Sequence, residues 1–249
     1  KIIYLHQYFK TPQMSGGTRS FEFAKRLIES DHEVHMITTH QGQSKKTYRD
    51  VVSGINVHYL YIPYNNKFSY FKRILAFFKY IIFASFYILK IECDLIFATS
   101  TPLTVAIPAL IYKKINNVPM VFEVRDLWPE IPVAIGAIKS KLIIKLAKAL
   151  EIAAYKNSKF IIALSPGMKS GILKSGISSS KVVTIPNSCD IKLFNIAPTI
   201  GQKFKDERSW LKNKKLVLYT GTFGYINGVS YFVYLSKAME KINNDIVFL

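Results

Sequence analysis

Short apolar runs alternate with helical patterns along the chain. Residues 2–6, 33–39, 55–62, 94–98, 119–124, 159–164 and 181–185 read as strands, and most are apolar throughout. Strands of about five such residues are buried on both faces, which is the habit of parallel sheets. Between them, 18–29, 103–114 and 141–156 carry apolar residues at helical spacing. Strand–helix alternation predicts a doubly wound α/β fold. After Asn187 the rhythm breaks. A charged stretch with Pro198 and Gly201 leads to a second start: a strand at 216–219, a glycine-rich turn at 220–228, a helix at 229–242 and a strand at 246–249. We therefore expect an amino-terminal Rossmann-like domain over 1–196, a linker at 197–214, and the beginning of a second Rossmann-like domain at 215–249. Two strands cannot bury both faces of a parallel sheet. The second unit is accordingly expected to be the start of a larger domain.

Composition narrows the class. Of 249 residues, 49% are hydrophobic, which excludes a disordered chain. Cys93 and Cys189 are too few for a disulfide framework, so a reducing compartment is expected. Charge is lopsided, 34 Lys+Arg against 16 Asp+Glu, for a net +18. Lysine, isoleucine and asparagine are all abundant, as biased codon usage produces, so the total by itself defines no partner. Its distribution says more. Residues 65–91 hold Lys67, Lys72, Arg73, Lys79 and Lys90 and no acid, and residues 131–189 hold Glu151 as their only acid. Such clusters suit anionic membranes or phosphate-rich ligands. Nucleic acid is not expected as a partner, because no helix-turn-helix, RNP-like or zinc motif accompanies the charge.

The segment from Phe68 to Lys90 combines cations with aromatics. On a helix, Lys72, Lys79 and Lys90 fall on one line, with Phe83 and Phe86 close to it. The longest uncharged run, Tyr80–Leu89, is too short for a bilayer span of about 20 residues. A helix of this kind can lie in the interface instead, so Lys72, Arg73, Lys79, Lys90, Phe83 and Phe86 are candidates for a membrane surface. The competing reading is a core helix with snorkelling lysines.

Two turns and one octapeptide carry candidate chemistry. Ser15-Gly16-Gly17-Thr18-Arg19 joins a strand to a helix, where glycine lets backbone N–H groups approach a ligand and the helix start favours negative charge. It is neither a P-loop nor a complete dinucleotide fingerprint. Glu123-Val124-Arg125-Asp126-Leu127-Trp128-Pro129-Glu130 follows a strand, so its charges fall at a carboxyl end, where α/β folds bind ligands. Either a buried ion-pair network or a site with Asp126 as an oriented carboxylate and Arg125 as an anion clamp fits. His6, ending the first strand, reads as a satisfied structural histidine. The histidines show no metal-ligand spacing, and no metal site is expected.

These turns, with Ser165-Pro166-Gly167-Met168, Pro186-Asn187-Ser188-Cys189-Asp190 and Tyr219-Thr220-Gly221-Thr222-Phe223-Gly224, occur in an order that resembles retaining glycosyltransferases of family 4, of the two-domain GT-B type. The nearest subgroup builds bacterial O-antigen, capsule and exopolysaccharide and includes enzymes resembling N-acetylfucosamine transferases. The resemblance implies two nucleotide-fold lobes facing across a groove, the first for acceptor and the second for donor. It implies a catalytic set of Asp126, Arg125 and Glu123. Gly16, Gly17, Arg19, Ser165, Asn187, Gly221, Gly224 and Asn227 would contact substrate. The expected substrates are a nucleotide-diphosphate sugar, such as a UDP-sugar, and a polyprenyl-diphosphate-linked acceptor. No cofactor or metal is expected, and the place of action is the cytoplasm, peripherally on the inner face of the cytoplasmic membrane. Two departures stand out. Thr222 and Asn227 replace the arginine and lysine of the family's second glycine loop, and the Glu-x7-Glu donor motif is not in the chain. The chain alone is therefore expected to transfer sugar poorly. A non-catalytic membrane-docking subunit working with a catalytic partner, or a sugar-nucleotide epimerase of the same fold, would share much of this pattern.

Overall fold

The computed structural model describes residues 1–40, 42, 45–63, 68–100, 102–136, 138–221, 223–224 and 227–249, and within these no side-chain description covers Tyr70, Phe71 and Arg73. The chain divides into a first unit, Lys1–Asn187, and a second, Ser188–Leu249.

The first unit is built on eight strands: β1 (Ile2–Leu5), β2 (Val34–His40), β3 (Tyr48–Val52), β4 (Ile55–Tyr61), β5 (Leu95–Thr99), β6 (Met120–Val124), β7 (Phe160–Ala163) and β8 (Val182–Thr184). Their order in the sheet is β3-β4-β2-β1-β5-β6-β7-β8. Every pairing is parallel except β3 with β4. The expected α/β Rossmann-like architecture is the one observed. Edge strand β3 escaped the hydrophobic pattern because Tyr48-Arg49-Asp50-Val51 is exposed. A two-residue turn joins it to β4, with Ser53 at φ 51° and Gly54 at φ 81°. Positive φ at both positions is what a tight hairpin of this hand requires.

Alternation along the strands builds two cores. Ile2 and Tyr4 face α1 (Arg19–Glu29), joining Phe21, Ala24, Val34, Met36 and Val57. Ile3 and Leu5 face the other way, joining residues of α2 (Tyr70–Ile88), α3 (Ala106–Asn116) and α5 (Lys141–Asn157) such as Tyr80, Ala84, Ala109 and Tyr155. Burying both faces is what makes the strands uniformly apolar. Two shorter helices, α4 (Glu130–Ala134) and α6 (Pro166–Lys174), follow β6 and β7. Strand order reverses direction at β1, between β2 and β5, a switch point of the kind that opens a crevice at the carboxyl ends.

The second unit contains α7 (Ile191–Phe194), α8 (Pro198–Asp206), β9 (Lys215–Val217), α9 (Val229–Glu240) and β10 (Ile246–Phe248). Strands β9 and β10 pair in parallel across the α9 crossover. Within 197–214, read from sequence as linker, α8 forms with Pro198 in its first turn, a position where its missing N–H costs nothing.

Candidate functional site

The carboxyl ends of β1 and β6 open on a cleft of about 480 Å³ lined by His6, Tyr8, Lys10, Gly16, Gly17, Arg125, Asp126, Leu164 and Asn187. Strand β6 stops at Val124, so Arg125 and Asp126 are the first residues beyond the sheet. The next two residues hold them there. Leu127 and Trp128 pack against the main core, and Leu127 closes on α6 so tightly that a Cβ at Gly171 would lie 2.7 Å from its Cδ1. Apolar anchoring of one dipeptide thus presents the charged one before it.

Arg125 is fixed from both ends. Its backbone N–H donates to Ser100 Oγ at 2.9 Å, and its Nη1 donates to His6 Nε2 at 3.3 Å. His6 is buried, and burial together with the Arg125 charge lowers its pKa to about 3. The imidazole is therefore neutral at physiological pH, and accepting at Nε2 puts its proton on Nδ1. Nδ1 is buried and has no hydrogen-bond partner among the described residues. The satisfied histidine expected from sequence is thus satisfied on one nitrogen only.

Gly16 and Gly17 line the cleft as expected. Gly16 has φ +136°, and a Cβ there would stand 3.0 Å from Lys10 Cγ. The backbone angle favours glycine at this position, and a Cβ would in addition press on the Lys10 side chain. Lys10, Tyr8 and Leu164 were not singled out from sequence. The signal for Lys10 was its place in the loop after β1, within reach of the glycine turn.

Glu123 and Arg19 are placed elsewhere. Glu123 is fully buried; one carboxylate oxygen takes Arg19 Nε at 2.8 Å, and the other accepts from the Thr99 hydroxyl. Arg19 continues to the chain after β8, donating from Nη1 to the Pro186 carbonyl at 2.7 Å and to Asn187 Oδ1 at 3.4 Å, and from Nη2 to the Ile185 carbonyl at 2.7 Å. Its guanidinium also lies 4.4 Å from the Phe23 ring centroid. This pair locks α1, β6 and the exit of β8 together behind the cleft; neither residue lines it. Ser165 also lies off the lining: it caps α6, accepting from the Met168 N–H at 3.1 Å. Asn187 does reach the cleft.

In the second unit, Gly221, Gly224 and Asn227 belong to the turn before α9. The Asn227 N–H donates to the Gly224 carbonyl at 3.0 Å, and Gly228 at φ +56° starts the helix. Thr222 lies outside the described residues.

Helix α2 has three faces. Ala76, Tyr80, Ala84 and Ile88 are buried against the sheet. Lys72, Lys79 and Lys90 are exposed together with Phe83 and Phe86, as their shared line predicts. Opposite the core, Leu75, Phe78, Ile82 and Leu89 are exposed, and Phe86 is 69% exposed. The side chain of Arg73 lies outside the description. No helix among the described residues is long and apolar enough to cross a membrane.

The sequence model of Glycosyltransferase Family 4 matches residues 16–193. No curated protein matches the chain. Among solved structures, Anabaena HepE in complex with UDP and glucose is similar over 100% of this chain and 60% of its own, with 18% identity and a TM-score of 0.65. Sucrose-phosphate synthase from Thermosynechococcus elongatus is similar over 100% of this chain and 69% of its own, at 13% identity and TM-score 0.66. The E. coli trehalose-6-phosphate structure bound with UDP-2-fluoro glucose aligns over 99% of this chain and 63% of its own, at 12% identity and TM-score 0.69. The chain thus spans about three fifths of HepE's length, and these likenesses establish the GT-B type of fold.

Proposed function

The chain belongs to glycosyltransferase family 4, and from that premise we propose that it moves a sugar from a nucleotide-diphosphate donor to a lipid-diphosphate-linked saccharide, with retention of configuration, in the synthesis of bacterial surface polysaccharide such as O-antigen, capsule or exopolysaccharide. In this reading the first unit takes the acceptor, and the second, with the glycine turn at Gly221, Gly224 and Asn227 and the start of α9, contributes to the donor side. The observation that carries it is the gathering of Gly16, Gly17, Arg125, Asp126 and Asn187 around one cleft at the strand ends. UDP in the HepE structure supports a UDP-sugar as donor.

The chemistry follows from the lining. As the bond from the anomeric carbon to the leaving phosphate breaks, charge builds on the diphosphate. Arg125, Lys10 and the Gly16–Gly17 backbone oppose that charge from fixed positions. His6, as a neutral acceptor, orients the guanidinium without adding a competing anion. Asp126 orients the acceptor hydroxyl, whose oxygen forms the new bond on the face the phosphate leaves, and the departing phosphate takes its proton. The cations are the chain's own, so this reading assigns no metal. Glu123 and Arg19 are positioning residues. Lys72, Lys79, Phe83 and Phe86 of α2, with Arg73 and with Lys90 two residues past the helix end, rest on an anionic membrane at the cytoplasmic face, where each cation contributes roughly 1 kcal/mol. The test is a screen of nucleotide sugars with the full-length protein and a polyprenyl-diphosphate acceptor in vesicles. Transfer from a UDP-sugar is expected; epimerised donor with no glycosylated lipid would overturn the reading.

A further inference from the structure

Helix α5 changes character along its length. Its second half is held down, with Glu151, Ala154 and Tyr155 buried and Lys148 Nζ 2.6 Å from Glu151 Oε2. Its first half is not. Lys141, Leu142, Ile143, Lys145 and Leu146 are all exposed, Leu142 at 66% and Leu146 at 61%. In helical projection Glu151, Ala154 and Tyr155 mark the inward direction. Leu142, Leu146 and Ala149 fall within about 50° of the opposite direction, with Lys141 and Lys145 along one flank. The preceding segment repeats the theme: Ile131 and Val133 of α4, then Ile135, are exposed, as is Lys139, while Glu130 is the one exposed acid between 130 and 146. Apolar side chains facing away from the core beside exposed lysines form the arrangement that α2 also displays.

Placement ties the two helices to the cleft. Both pack on the same face of the sheet, with α3 between them. Each feeds a parallel strand, α2 into β5 and α5 into β7, so each ends near the amino edge of the sheet. A 17-residue helix is about 25 Å long. The start of α5 therefore lies toward the carboxyl edge, where the cleft opens, and the start of α2 does the same.

We propose that the first turns of α5, with the α4 segment, form a second lipid-contact element that joins α2 in seating the cleft end of the first unit on an anionic bilayer. The proposal rests on the membrane reading of α2 and extends it from one helix to two. A single interfacial helix leaves rotation about its own axis free; a second contact removes that freedom and holds the cleft mouth at headgroup depth, where a lipid diphosphate sits. Charge selects the occupant. The lysine flanks complement anionic headgroups, whereas two copies of this chain would bring like charges together.

Vesicle sedimentation tests it, with the chain, its L142E/L146E and F83E/F86E variants and their combination on phosphatidylcholine alone or mixed with phosphatidylglycerol. All four positions are exposed, so circular dichroism melts should match the parent. The mixed vesicles should bind the parent. Each pair of changes should weaken binding at least about tenfold and the combination abolish it. An L142W variant should gain fluorescence that brominated lipid quenches. Parental affinity for L142E/L146E with unquenched L142W, while F83E/F86E loses binding, would overturn the second element and leave α2 standing. A parent that ignores the vesicles would overturn both. A parental dimer that L142E/L146E converts to monomer would make the face a self-association surface and overturn the proposal.

Discussion

Glu123 and Arg125 stand two residues apart on the same strand end, yet they do different work. Glu123 lies within the depth of the sheet, where water is excluded, and its charge is tolerable only because Arg19 and Thr99 surround it. Arg125 lies about 6.6 Å further along the chain direction, past the last ladder bond, and there its charge faces a cleft. The Arg19–Glu123 ion pair is therefore scaffold, whereas Arg125 and Asp126 line the cleft. Depth along the strand axis, and not the density of charge in the sequence, separates them.

The sharpest way to break that contrast is Glu123→Ala. It would strand Arg19 in a buried position and should cost about 3–5 kcal/mol in urea unfolding, close to the whole stability of many domains. A loss under about 1 kcal/mol would mean that the pair is not a lock. Asp126→Ala should do the reverse: turnover in the transfer assay should fall about 10²–10³-fold with an unfolding midpoint near the parent's. Equal turnover would remove Asp126 from the chemistry. A third test concerns the acceptor behind Arg125. His6 is neutral in the folded state down to about pH 3, but ionises near pH 6.5 once unfolded. The unfolded state therefore binds more protons between these values, and stability is unaffected above about pH 6.5 and falls as pH drops below it. The share of His6 should reach about 2 kcal/mol by pH 5, with a parallel contribution from His58, lowered to about 4 chiefly by burial. His6→Asn should flatten the slope in stability measured against pH, and an unchanged slope would place His6 outside the linkage. The smallest effect belongs to Ser165→Ala, which should cost about 1 kcal/mol as a lost helix cap and leave KM for both substrates unchanged. A raised KM would return Ser165 to the cleft.

The fold was legible because burial on both faces writes itself into uninterrupted apolar runs, and because glycine is favoured where a turn takes φ positive, as at Gly16 and Gly54. Edge strand β3 was not, since it buries too little to leave that signature. In the site, Gly16, Gly17, Arg125, Asp126 and Asn187 were legible as turn and strand-end residues. His6 looked satisfied, and Lys10 looked like any loop lysine.

By itself, then, the sequence determined the alternation of strands and helices, the positions of the strand ends and the amphipathic character of α2, because each of these is set by local periodicity. Only the tertiary structure decided which charges meet. Arg19 and Glu123 are far apart in the chain, as are His6 and Arg125. Their pairing depends on which strands become neighbours in the sheet and how deep each side chain then lies, quantities that no local window of residues contains.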